Sequence, residues 1–374
     1  MIFILFITII YTVLIFWLFV GIGKVPEFHW SENTLKTKFS IIIPFRNEAE
    51  NLPDLLHSIS QLNYDKKLLE ILLVNDDSDD DSVQIIKNYF ENYLDIDFTI
   101  IDAIRQSNSP KKDAITTAIN KSQYPWIITT DADCALPEKW LQVYDAFIQN
   151  NKPVFIAAPV IFKNEKGFLK QFQQLDWMSL TAVTMGGFGQ QKPLLCSGAN
   201  LAYTKEAFKT VEGFQGNDTF ASGDDVFLLQ KMQKEFNSKV SFLNNTEVIV
   251  QTKPEDTWSD LWQQRVRWAG KTGKLPNILV RLIGVVVILM NILLLYSLMA
   301  IFFVSDNWVV LWVTFSTKFV VDALLFYKIA NVLKQKTPFL TYVAGSIFYP
   351  FFSVSVGIVS VFSGYRWKNR KFDK

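Results

Sequence analysis

Apolar residues run along this chain in two different rhythms. Residues 1–20, MIFILFITIIYTVLIFWLFV, are almost entirely apolar and carry no charge, which matches the roughly 20 residues needed to cross a bilayer core. Three more apolar blocks follow late in the chain, at 282–304, 308–329 and 339–362. Between these regions the pattern is mixed. Short β-branched runs, "SIIIPF", "EILLVN", "FTIID" and "WIITT", each end in a polar cluster and are each followed by a helical stretch. The first of these stretches places Leu52, Leu55, Leu56, Ile59 and Leu62 on one face. Strands alternating with helices predict an α/β fold with a doubly wound, mostly parallel sheet, in which ligands bind beyond the carboxyl ends of the strands.

After residue 151 the alternation weakens. "GFLKQFQQLDWMSLTAVTMGG" reads as an amphipathic helix, and "TWSDLWQQRVRWAGKTGK" as a Trp-rich basic one. The outline is an N-terminal transmembrane anchor over 1–23, a globular domain with interfacial helices over 24–278, and a C-terminal membrane region over 279–374 with two or three spans. The charge-free start lacks the basic flank and small-residue cleavage site of a removed signal, so it reads as a retained anchor. Pro350 interrupts the last block and would allow it to fold back, leaving three or four spans in all. Lys24, Lys36 and Lys38 follow the first span, and Arg265, Arg267, Lys271, Lys274 and Arg281 precede the second. The positive-inside bias then places the globular domain of a multi-pass inner-membrane protein in the cytoplasm.

Charge and cysteine content narrow the chemistry. With 37 basic and 36 acidic residues the net charge is +1, so nothing points to nucleic acid as a partner. Cys134 and Cys196 are far apart, and there are two histidines. A structural disulfide is not expected in a reducing compartment, and a Cys/His metal cluster is excluded, so any metal must be held by oxygen.

The candidate chemistry sits at the strand ends. In "TTDADC" Asp131 and Asp133 lie two apart at the strand end, and because side chains alternate along a strand both carboxylates point to one face and can reach the same cation. A divalent ion on a substrate diphosphate wants one or two carboxylates, with phosphate and water completing its shell; the plainer reading is a solvated strand end. "VNDDSDDDS" can accept hydrogen bonds from a ribose or base, or be a solvated acidic loop; it lacks the glycine and distal glutamate of a calcium loop. Arg46 and Glu48 in "PFRNE" lie just past the first strand, where Arg46 can bind phosphate or pair with surface acids. Lys111 and Lys112 precede a helix, as a phosphate contact or a basic cap. Asp224 and Asp225 in "SGDDVF" open another helix, as proton acceptor or caps. Gln264, Arg267 and Trp268 share one helix face, which an interfacial helix would also show. Lys318 and Asp322, four apart in an apolar block, can pair inside the bundle or line a polymer or lipid path.

Taken in order, "IIIPFRNE", "VNDDSDDDS", "KKDAI", "TTDADC", "SGANLAY", "SGDD" and "QRVRW" resemble the family 2 glycosyltransferases of the membrane-embedded kind related to cellulose, hyaluronan and poly-N-acetylglucosamine synthases. The resemblance implies a GT-A fold, a nucleotide-sugar donor expected to be UDP-linked, Mg2+ or Mn2+ as cofactor, and inversion at the anomeric carbon. The acceptor it implies is a membrane lipid or growing polysaccharide in cell-envelope glycan synthesis, with accessory envelope-synthesis proteins as candidate partners. It makes Asp76 the nucleotide acid and Lys111 a nucleotide or phosphate contact, with Arg46, Glu48 and Asp131 also on the donor side. Asp131 and Asp133 become the metal pair, with Asp133 the preferred direct ligand. Asp225 becomes the general base with Asp224 beside it, and Gln264, Arg267 and Trp268 the motif that closes over donor diphosphate and acceptor. The chain departs from the family pattern at Asp77 and Pro110, where glycine is usual, and neither change removes a reacting group.

Two other readings fit parts of the pattern. A D-x-D phosphatase would use one Asp as nucleophile, but it wants Thr or Val where Ala135 stands and leaves "QRVRW" unexplained. A non-catalytic membrane protein that binds nucleotide or lipid would need the donor motifs but neither the base nor the closing motif.

Overall fold

The computed structural model describes residues 2–32, 34–91, 96–217, 223–273, 275–300, 308–336, 338–362, 365–367 and 370–372. In chain order, α1 (Ile2–Lys24) precedes β1 (Phe39–Phe45), α2 (Leu52–Ser60), β2 (Leu69–Asn75), α3 (Ser82–Phe90), β3 (Phe98–Asp102), α4 (Pro110–Lys121) and β4 (Trp126–Thr129). Then come β5 (Cys134–Ala135), α5 (Trp140–Asn151), β6 (Phe155–Ala157), β7 (Val160–Phe162), α6 (Phe168–Gly189), β8 (Leu201–Thr204), α7 (Lys205–Thr210), α8 (Asp224–Phe236), β9 (Val240–Phe242) and β10 (Val250–Thr252). The chain continues through α9 (Trp258–Thr272), α10 (Ile278–Ala300), α11 (Trp308–Leu333) and α12 (Phe339–Phe362) to a short hairpin, Tyr365–Trp367 with Arg370–Phe372. These elements divide into two compact units. One comprises 26–163 and 195–253; the other comprises 1–25, 164–194 and 254–374.

The first unit is built on a seven-stranded sheet in the order β3-β2-β1-β4-β8-β6-β9. β1 to β4 are parallel to one another, β8 is antiparallel to both β4 and β6, and β9 is parallel to β6. The expected mostly parallel α/β sheet is therefore present, with one reversed strand inside it. β1 and β2 are buried along almost their whole length, as continuous β-branched runs require when helices cover both faces. A second sheet, β5-β10-β7, lies in the same unit.

One buried acid pins the chain ahead of β1 in this unit. Asp145 of α5 is 1% exposed and accepts hydrogen bonds from the backbone of Lys36 and Thr37, the Thr37 hydroxyl, Tyr64 Oη and Gln149 Nε2. A carboxylate so satisfied can be buried without an ion-pair partner. Burial, with the charge of Asp145 added, pushes the Tyr64 phenol far above its usual range.

In the second unit, α1, α10, α11 and α12 are each long and apolar enough to cross a membrane. Their faces carry large exposed apolar side chains such as Phe16, Trp312 and Phe348, as lipid-facing helices do. α12 runs through Pro350 as one helix, so no fold-back occurs at the proline. α1 and α6 touch backbone to backbone: a Cβ on Gly21 would lie 2.2 Å from the Gly186 carbonyl oxygen, and one on Gly189 would lie 1.8 Å from that of Gly21. Small residues permit this close helix approach. Lys318 pairs with Asp322, which also accepts from Tyr11 Oη at 2.6 Å, so the two intramembrane charges tie α11 to α1. Phe172, Leu261, Val266, Phe352 and Val356 form a core joining α6, α9 and α12.

Candidate active site

The loops after β1 and β2 are built against each other. Arg46 Nη1 donates to the Asp76 carbonyl at 2.6 Å and to that of Asp77, and pairs with the Asp77 carboxylate at 3.2 Å. The Asn47 amide donates to Ser78 Oγ at 3.2 Å, the Glu48 amide to Ser82 Oγ at 2.9 Å, and the Ala49 amide to Asp80 Oδ2 at 3.0 Å. Asn47 and Asp77 hold positive φ of 51° and 59°, a conformation that Asn and Asp accept more readily than other side chains. Much of the acidic run is thus engaged in shaping its own loop. Asp80 shows this: burial would raise its carboxyl, but hydrogen bonds from Ser82 and the Ala49 amide hold it below the usual range. Asp76 is 5% exposed, and its carboxylate pairs with Arg105 from the loop after β3.

At the next strand end, Asp113 accepts from the amides of Gln106 and Ser107 and from Ser107 Oγ, fastening the approach to α4. Pro110 is the first residue of α4, so Lys111 and Lys112 lie within its first turn instead of preceding it. Adjacent residues on a helix point about 100° apart, and the two lysines separate accordingly. Lys112 is 2% exposed and donates to the Asn217 carbonyl at 2.6 Å. Lys111 Nζ lies 2.6 Å from Asp131 Oδ1 and 3.4 Å from Asp224 Oδ2.

The D-x-D pair is not on a strand. β4 stops at Thr129, and Asp131 to Cys134 form a tight turn in which the Cys134 amide donates to the Asp131 carbonyl at 3.2 Å. The alternation expected from the sequence does not apply here, because the ladders to β1 and β8 both end at Thr129. The turn nevertheless keeps the two carboxylates close. Asp133 Oδ2 accepts from Thr252 Oγ1 of β10 at 3.1 Å, and Cys134 Sγ lies 3.6 Å from Oδ1. Burial pushes both carboxyls up: at Asp131 Lys111 opposes this while Asp133 adds to it, and at Asp133 the nearby Glu48 adds to it. Burial alone would lower the Lys111 ammonium, but the carboxylates of Asp131 and Asp224 hold it well above the usual lysine range.

Asp224 and Asp225 open α8 behind Gly223, whose φ is 85°. Ser222, which the sequence motif includes, lies outside the described residues. Asp225 Oδ1 accepts from the Val226 amide at 2.7 Å. Thr129 Oγ1 donates to the Gly198 carbonyl at 2.8 Å, linking the end of β4 to the turn before β8. Asp76, Lys111, Asp131, Asp133, Asp224 and Asp225 all belong to one unit, and Lys111 directly joins the metal-pair candidate to the helix bearing the base candidate.

Residues 40–212 match the family model for glycosyl transferase family 2. The chain carries a family 2 glycosyltransferase domain. It is similar to a poly-beta-1,6-N-acetyl-D-glucosamine synthase of Staphylococcus epidermidis, at 25% identity over 64% of this chain and 55% of that one. A synthase of the same name from Staphylococcus aureus is 27% identical over 60% of this chain and 52% of that one. The chain thus spans about half the length of the curated relatives it matches. In fold it is similar to a mannosyltransferase of Pyrobaculum calidifontis solved with GDP-mannose and Mn2+, with a TM-score of 0.58 at 14% identity, over 96% of this chain and 97% of that one. The glycosyltransferase domain is thus of GT-A type, followed by membrane-capable helices.

Gln264, Arg267 and Trp268 lie on α9, in the other unit. Gln264 Nε2 donates to Glu255 Oε1 at 2.5 Å. Between the motif residues, Arg265 is buried against Asp176 of α6 and stacks over Trp268, its guanidinium carbon 4.3 Å from the ring centroid. Asp176, Arg105 and Thr252 are not among the residues the sequence singles out, and Arg265 stands there only as one of the basic residues before the second span. Only Arg265 had a local signal, as a charge inside the motif; the others are contacts between distant segments.

The donor set suits a hard divalent cation. Asp131 and Asp133 offer carboxylate oxygens from one turn, and the Asp131 side chain is 35% exposed. Among the described residues no three His, Cys, Asp or Glu side chains form a closed cage; a cation shared with a diphosphate needs only one or two carboxylates. Gly198 keeps this space open. A Cβ there would lie 2.9 Å from Asp224 Oδ2 and 3.4 Å from Lys111 Nζ. Gly198→Ala is expected to leave the domain folded, with a melting temperature within a few degrees of wild type, while displacing both side chains and lowering sugar transfer about tenfold. Thermal melts and transfer assays on the same preparation check both halves.

Proposed function

We propose that this chain is an inverting, metal-dependent glycosyltransferase that moves a sugar from a UDP-linked donor to a membrane lipid or growing polysaccharide of the cell envelope. The observation that carries the reading is the Lys111 bridge between Asp131 and Asp224, at the strand ends where an α/β sheet binds ligands. The poly-N-acetylglucosamine synthase relatives support an amino-sugar donor and a glycan product.

The site residues take roles that follow from their chemistry. Asp76, held by Arg105, accepts hydrogen bonds from the nucleoside. Asp131 and Asp133 would hold Mg2+ or Mn2+, which when bound neutralises charge on the leaving diphosphate. Lys111 supplies a second positive charge at the N-terminus of α4, where anions are favoured. Asp225 takes the proton of the acceptor hydroxyl as the acceptor oxygen bonds to the anomeric carbon from the face opposite the leaving group. The bond to the diphosphate oxygen breaks with its electron pair, and a single displacement inverts the configuration. Arg46 and Glu48 serve by shaping the nucleotide loop, and their backbone and side-chain bonds to 76–82 support that role. Gln264, Arg267 and Trp268 are assigned to donor and acceptor by their motif. The four membrane-capable helices and the basic residues flanking them support an inner-membrane enzyme with its catalytic unit in the cytoplasm.

A donor panel tests the proposal. Membranes carrying the full chain are incubated with radiolabelled UDP-N-acetylglucosamine, other UDP-sugars and GDP-mannose, with and without Mn2+, and the products are analysed by mass spectrometry. UDP-N-acetylglucosamine is expected to label a membrane-retained product in a cation-dependent way. Labelling by no donor, with nucleotide still bound, would favour the non-catalytic binding protein.

A further inference from the structure

Lys111 has acidic partners within the fold itself, and one of them is a candidate metal ligand. We infer that Lys111 is an internal counter-ion that competes with a divalent cation for Asp131 and releases that carboxylate when a nucleotide diphosphate draws the ammonium away. The inference rests on the proposed nucleotide-sugar reaction and adds to it an order of events.

The geometry supports competition. Lys111 Nζ lies 2.6 Å from Asp131 Oδ1, a charge-assisted hydrogen bond of the stronger kind. A hard cation takes carboxylate oxygen as its ligand and so needs the oxygen that the ammonium engages. Asp133, Asp224 and Asp225 add negative charge around the same lysine, so a cation is needed there whether or not a metal is present. Two cations near it in sequence or on the adjacent loop are engaged elsewhere. Lys112 is turned inward onto the Asn217 carbonyl, and Arg46 is engaged with the carbonyls of Asp76 and Asp77.

The same geometry supports release. Lys111 stands in the first turn of α4, where backbone amides and the helix dipole favour an anion. A diphosphate arriving there offers the ammonium a partner carrying more charge than Asp131, and a four-carbon stem lets it move without backbone rearrangement. A divalent cation takes Asp131 as the lysine moves to phosphate, and the contact of Lys111 with Asp224 opens at the same time. Cation binding is therefore weak alone and strongly coupled to nucleotide.

Mn2+ binding to the detergent-solubilised full chain, read by electron paramagnetic resonance at pH 8 with and without UDP, tests this. Without nucleotide, Lys111→Met is expected to bind Mn2+ about tenfold more tightly than wild type, equivalent to about 1.4 kcal/mol. Lys111→Arg, which keeps the charge, is expected to stay within about threefold of wild type. The gain in Mn2+ affinity on adding UDP should shrink in Lys111→Met. The inference is overturned if Lys111→Met binds nucleotide-free Mn2+ no more tightly than wild type, or if Lys111→Arg tightens it equally. Lys111→Gln carries the same expectation should the methionine variant fail to fold. Absence of Mn2+ binding in every protein also overturns it. Mn2+ binding without any UDP binding sinks the donor reading and nucleotide-driven release, while competition at Asp131 is still judged by the nucleotide-free arm.

Discussion

Asp225→Asn is expected to reduce sugar transfer at least 100-fold, while donor nucleotide affinity stays within about threefold of wild type. The amide keeps the size of the side chain and can still accept from the Val226 amide, as Asp225 Oδ1 does at 2.7 Å. It cannot take a proton from the acceptor hydroxyl at neutral pH, and loss of a positioned base typically costs 10²- to 10⁴-fold. The adjacent acid is a built-in control. Asp224 faces Lys111 at 3.4 Å, so Asp224→Asn should disturb donor affinity through the lysine as well as rate, whereas Asp225→Asn should change rate alone. Transfer assays on membranes and calorimetric titration with UDP separate the two. Transfer by Asp225→Asn above a few per cent of wild type would move the base elsewhere.

Asp133→Asn is expected to remove the cation dependence of the reaction. Its single amide oxygen can still accept from Thr252 Oγ1, which lies 3.1 Å from Oδ2 of Asp133, so the turn should keep its shape. What changes is charge, and a neutral amide is a poor ligand for a hard divalent ion beside a diphosphate. Stabilisation of the leaving group by such an ion is worth several kcal/mol, so transfer should fall at least about 100-fold. The small activity that remains should no longer rise with added Mn2+. The measurement is a Mn2+ titration of initial rate for wild type, Asp131→Asn and Asp133→Asn. A variant stimulated by Mn2+ as strongly as wild type is not missing a metal ligand.

The strand ends were legible because burial on both faces writes a local signal. "SIIIPF" and "EILLVN" are continuous apolar runs that end in polar loops, and β1 and β2 end at Phe45 and Asn75. Four long apolar helices were legible for the same reason, since a segment in lipid must satisfy its own backbone. Errors arose where pairing between distant segments sets the local geometry. The D-x-D pair was expected on a strand, yet β4 ends at Thr129, opposite Leu201 of β8. The ladders of β4 stop there, and the chain turns through the two aspartates before pairing resumes at Cys134 in β5. The reversed strand β8 itself had no signature in a short apolar run.

The sequence by itself determined the glycosyltransferase-like motifs, the alternating architecture, the four apolar blocks and which residue types stand at each strand end. These follow from hydrophobic period and motif order, which a chain carries locally. Tertiary structure decided which of those groups meet. It turned Lys111 toward Asp131 and Asp224 while burying Lys112, gave Asp76 the partner Arg105 and Asp133 the partner Thr252, and grouped α6 and α9 with the apolar helices. Such pairings join residues up to 119 positions apart, and they depend on how strands are ordered across a sheet, which no local pattern of polar and apolar residues encodes.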